Sequence, residues 1–144
     1  MNRVFRVAGL ALALLLCACA PLISPYDHTA YQNATSLKAE TLALADKAVE
    51  PFGKHEARVD TLLLQVEKAY EYSKGLPDNS VASRQWEIIK DPDGNLLGGL
   101  VATWKEQGRV SKTYASEKKG QLARAFDYVI CLEMNKKQSS VCVK

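Results

Sequence analysis

The sequence predicts an all-α protein, a helical bundle of about four to five helices that follows a cleaved signal peptide and a short tether. Apolar residues recur at a helical period of three to four from Asp27 to about Asn135. The periodic stretches are punctuated by capping residues, glycine or proline: Asp27, Pro51 with Gly53, Gly75 with Pro77, Asn79, Gly108 and Ser111. No stretch alternates polar and apolar residues long enough to require a strand, and no internal repeat is present.

The chain begins with Arg3 and Arg6 and no acid, followed by an unbroken apolar or small run from Val7 to Leu16. That order is the order of a secretory signal. The run is about ten residues, far short of the ~20 that a spanning helix needs.

At its end stands Leu16-Cys17-Ala18-Cys19, which resembles the lipobox of bacterial lipoproteins. The resemblance implies cleavage before Cys19, a diacylglycerol thioether on the Cys19 sulfur and an acylated amino terminus, so Cys17 would leave with residues 1–18. The alternative is an ordinary signal cut after Ala18 or Ala20, leaving a free thiol. Each buried methylene contributes ~0.8 kcal/mol, one acyl chain binds marginally and several hold firmly. Ala20 rather than an aspartate follows the cysteine, which by analogy with lipoprotein sorting in enteric bacteria implies the outer membrane and a periplasm-facing domain. Residues 19–26 form a tether in which Pro21 and Pro25 disfavour helix.

Without residues 1–18 about 126 residues remain, enough for one core, and the formal charge falls from +3 to about +1. A nearly neutral domain lacks the basic face that nucleic-acid binding requires. No nucleic-acid partner is expected.

The domain spans residues 27–136. Its first helix starts at the Asp27 cap and carries Ala30, Ala34, Leu37, Thr41, Leu44 and Ala48 on one stripe to about Val49. A second, about Lys54 to Lys74, presents Val59, Leu62, Leu63, Val66 and Tyr70. Asn79 or Ser80 caps a third running to Lys90 with Ala82, Trp86 and Ile89 inward. Asp91-Pro92 has the form of a cap and first helical residue, so a fourth helix begins there or just after Gly94 and ends at Gly108. Its Gly98-Gly99 pair costs ~1 kcal/mol of propensity per glycine; close backbone approach explains that cost better than a ligand seat. Ser111 caps a fifth helix to about Asn135, with Tyr114, Gln121, Leu122, Ala125, Phe126, Val129 and Leu132 inward. Residues 137–144 read as a tail without order.

Cys131 and Cys142 remain as an even pair in an oxidising compartment, which favours a disulfide over two free thiols. His28 and His55 stand apart and make no zinc pattern. Asp91-Pro92-Asp93-Gly94-Asn95 opens like a calcium loop, but Leu96 stands where such a loop needs glycine and Ala102 where it needs glutamate. There is no nucleophile elbow and no phosphate loop. No catalytic residue, metal or cofactor is expected.

Two stretches, "SPYDHTAYQNATSLKAETLALADKA" and "RQWEIIKDPDGNLLGGL", resemble those of small Gram-negative helical lipoproteins. The resemblance brings no activity, ligand or catalytic residue. The expectation is a non-enzymatic, membrane-anchored envelope lipoprotein that holds a protein partner, with Tyr26, Tyr31, Tyr70 and Tyr72 as its contact surface. The alternative is a carrier of a small apolar ligand in a cavity near Trp86, Gly98, Gly99 and Trp104.

Overall fold

A computed structural model describes residues 25–135 and 139–142. The signal region, Cys17 and Cys19 lie outside the described residues. Five α-helices and no strand occur among the described residues: α1 His28–Ala45, α2 Glu56–Gly75, α3 Ser80–Lys90, α4 Leu97–Gln107 and α5 Lys112–Met134. Short 3-10 turns cover Phe52–Lys54 and Ser139–Cys142.

The helices begin where capping chemistry dictates. The Asp27 carboxylate accepts the Ala30 amide at 2.8 Å and the Ser111 hydroxyl accepts the Tyr114 amide at 3.1 Å. Asn79 stands before α3 without capping it. Its side-chain amide instead donates to the Ser73 carbonyl and hydroxyl at 3.0 and 2.8 Å, tying the end of α2 to the start of α3.

α1 packs on α2 and α5, and α3 packs on the same two helices, which closes a ring of four. Neighbours run antiparallel: Lys38 pairs with Asp127 and Asp46 with Lys119 along α1 and α5. α3 has 11 residues, about 16 Å, and is too short to cover the 20-residue α2. α4 fills the uncovered far end, where Trp104 meets Phe52 edge-on at 5.4 Å and donates its indole N–H to the Glu50 carbonyl at 2.8 Å. At that far end Phe52 N donates to Gly108 O and Val110 N to Ala48 O, stitching the α1–α2 connection to the α4–α5 connection.

The core joins the inward stripes. Leu37, Leu44, Val59, Leu62, Val66, Trp86, Ile89, Leu100, Trp104, Leu122, Phe126 and Val129 form one cluster. Trp86 meets Phe126 edge-on at 5.7 Å, an aromatic contact contributing roughly 1 kcal/mol beyond its burial. The small residues Ala30, Ala34, Thr41, Ala45 and Ala48 are all buried, which leaves room for close approach to α1.

Two expectations are corrected and one is narrowed. α1 ends at Ala45 rather than near Val49, because the chain tightens there: Lys47 N bonds Leu44 O and Ala48 N bonds Ala45 O. Ala48 is nonetheless fully buried. Of the two starts expected for the fourth helix, the one at Asp91-Pro92 is not used and the one after Gly94 is: the Asp91 carboxylate accepts the Asp93 amide and its carbonyl the Gly94 amide, making a turn from which α4 emerges at Leu97. The carboxyl-terminal segment is not wholly without order, since a disulfide from Cys131 to Cys142 holds the Ser139–Cys142 turn near the end of α5.

Gly98 and Gly99 are explained by that turn. A β-carbon on Gly98 would stand 2.3 Å from the Asp91 carbonyl oxygen and 2.4 Å from that of Lys90. The first turn of α4 rests directly on the backbone that leaves α3. Lys118, buried on α5, fixes the same turn from the other side by donating to the Asn95 carbonyl at 2.8 Å.

Candidate functional site

The mismatch in length between α2 and α3 produces a concavity. Where α3 stops and α4 begins, a groove of about 670 Å³ opens over α2. Its apolar lining comes from Leu63, Ile88, Pro92, Gly98, Val101 and Ala102. Around these stand Glu67, Arg84, Glu87, Lys90 and Asp91.

The charges of this rim largely answer one another. Lys90 reaches Glu67 at 2.7 Å and Arg84 reaches Glu87 at 2.6 Å. Lys90 also lies 4.1 Å above the Tyr70 ring, a cation–π contact that steadies the pair. A groove in which four of the five rim charges pair with one another, Asp91 taking the Asp93 amide instead, offers mainly apolar area to a visitor. Ile88 is the signal that sequence reading missed. With Ile89 it places two isoleucines side by side in an 11-residue helix; Ile89 is fully buried, so Ile88 must face outward and is 40% exposed.

The four tyrosines separate. Tyr70 borders the groove through Lys90. Tyr26, Tyr31 and Tyr72 gather instead at the amino-terminal end of the bundle: the Tyr26 and Tyr31 rings are 6.2 Å apart, and the Tyr72 hydroxyl donates to the Asp27 carboxylate at 3.1 Å. Tyr26 and Tyr72 are exposed, whereas Tyr31 is half-buried.

The residues named for an apolar-ligand cavity have separate neighbours among the described residues. Trp86 packs on Phe126, Trp104 on Phe52, and Gly99 on the Gly94 carbonyl. Gly98 alone of the four lines the groove.

His28 and His55 sit at opposite ends of the bundle. His28 lies beside the Tyr26 hydroxyl, and His55 Nε2 is 2.9 Å from Glu50 Oε2 in the α1–α2 connection. The His55 hydrogen bond, followed by that of Lys47, holds the Glu50 carboxyl below the ordinary carboxylate value. Among the described residues no group of three or more His, Cys, Asp or Glu is placed to hold a metal ion. No helix there is long and apolar enough to cross a membrane.

Protein-family models, curated proteins and solved structures were compared with the chain, and none matches it.

Proposed function

We propose that this chain is a lipid-anchored envelope lipoprotein, acylated at Cys19 and facing the periplasm from the outer membrane, whose helical domain holds a protein partner without catalysing a reaction. The observation that carries the partner reading is the groove over α2, with its apolar lining and largely self-paired rim. Its shape and chemistry suit the apolar face of a partner helix, laid between α2 and the α3–α4 junction. The lipobox Leu16-Cys17-Ala18-Cys19 supports the anchor.

The test is site-specific crosslinking in intact envelopes, with a benzophenone amino acid in place of Ile88 or, as a control, Lys112 on α5. A discrete protein adduct from position 88, absent from position 112 and lost when Ala102→Glu charges the groove, is the expected result. No adduct at position 88 overturns the partner reading. For the anchor, Cys19→Ser abolishes palmitate labelling and Cys17→Ser does not; the reverse pattern overturns that assignment.

A further inference from the structure

Of the eight large apolar side chains exposed among the described residues, five stand at one end of the bundle, while Val49, Leu64 and Ile88 lie elsewhere. Tyr26 precedes α1, Tyr72 lies in the last turn of α2, Val81 in the first turn of α3, Met134 ends α5, and Val141 lies in the turn clasped by the disulfide. These are 54, 38, 44, 58 and 56% exposed, and all belong to the same end of the bundle. Their helices meet there: Tyr72 bonds Asp27, Asn79 bonds Ser73, and the antiparallel pairs of α1 and α5 place the end of α5 beside the start of α1.

Charge at this end is partly answered, although the Asp78 carboxylate stands exposed in the α2–α3 connection. Lys74 pairs with Glu71 at 3.5 Å, and the Asp27 carboxylate is occupied by the Ala30 amide and the Tyr72 hydroxyl. Tyrosines with a polar tip and an apolar body suit the level of lipid headgroups. The described chain also begins at this end. Pro25 is six residues from Cys19 in the sequence, and six residues reach about 20 Å at most.

We propose that the amino-terminal end of the bundle is a membrane-contact surface, with Tyr26, Tyr72, Val81, Met134 and Val141 seated in the interfacial layer of the bilayer that holds the anchor. This rests on acylation of Cys19 as proposed above. The long axis of the bundle then stands away from the bilayer, and the groove, lying on its flank, stays open to a partner. Tyr26 and Tyr72 belong to the lipid side of this arrangement rather than to the partner's.

The test uses the mature acylated chain in vesicles of phosphatidylethanolamine and phosphatidylglycerol, with and without lipids brominated near the top of the acyl chain. Tyr26→Trp, Met134→Trp and, as a control on the outer face of α2, Leu64→Trp each add one indole. Wild-type protein supplies the baseline from buried Trp86 and Trp104. Flotation and the mass of the modified terminus report the anchor separately.

The expected result is that the protein floats, that brominated lipid quenches the emission added at positions 26 and 134, as for aromatic rings at headgroup level, and that position 64 is unaffected. If the protein floats but positions 26 and 134 are unquenched, or position 64 is quenched equally, the contact surface is overturned while the anchor stands. If Cys19 carries no acyl chain and the protein does not float, the anchor reading fails and the contact surface falls with it.

Discussion

Gly99 lies so close to Gly94 that a β-carbon on it would stand 1.9 Å from the Gly94 carbonyl oxygen. Backbone cannot yield as a flexible side chain can, so Gly99→Ala must push α4 off the turn that supports it. We expect a loss of at least about 2 kcal/mol, despite the better helix propensity of alanine. Gly75→Ala is the control: nothing stands within 4 Å of a β-carbon there, and it should raise stability by roughly 0.5 to 1 kcal/mol. Urea denaturation of the two variants checks both signs.

Thr41 is fully buried on α1, and its hydroxyl has no hydrogen-bond partner among the described residues. A buried hydroxyl without a partner costs about 1 to 3 kcal/mol. Thr41→Val keeps the branched shape and removes that oxygen. Its urea midpoint should rise by the equivalent of about 1 kcal/mol; a fall would show that the hydroxyl is needed.

The Cys131–Cys142 bridge closes a loop with a sequence separation of 11. Chain entropy for so short a loop limits its contribution to about 3 kcal/mol. Cys142→Ser should release the Ser139–Cys142 turn, read as faster amide exchange there and in the last turn of α5. Exchange in α3 should be unchanged.

Glu50 titrates below the ordinary carboxylate value of 4.5, first because of His55 and then Lys47. A carboxylate with a depressed folded-state value stabilises the fold fully above its unfolded value, and that contribution fades as pH falls through the folded one. The difference in midpoint between wild type and Glu50→Gln should therefore shrink as pH falls below about 4.5. A difference that persists unchanged to pH 3 would contradict the role of the Glu50 carboxylate.

The helical pattern was legible because it is local. Ala82, Trp86 and Ile89 fall on one side of an 11-residue helix, and burying them is the only way to hide two large side chains and a methyl. Capping by Asp27 and Ser111 was legible for the same reason. Which of its two possible starts α4 would take was not, because Asp91-Pro92 satisfies the rules for both a helix start and a turn. The choice is made by distant groups: Lys118 holding the Asn95 carbonyl, and the glycines that let α4 lie on the backbone of the preceding turn. The groove was hidden likewise, since it exists only because α3 is shorter than the helix it covers. Of the four tyrosines, Tyr70 and Tyr72 stand two residues apart on α2 and so on different faces, which the helical spacing already separates, but their partners Lys90 and Asp27 come from distant segments.

The two hydrogen bonds between the connections, Phe52 to Gly108 and Val110 to Ala48, lie at the end opposite Pro25. A pull entering at Pro25 along the bundle axis therefore cannot strip α1 away one turn at a time. It must slide the whole 18-residue helix past α2 and α5 while the stitches at its far side still hold. The domain takes such a load in shear, as a lap joint does, which spreads the force over its full length.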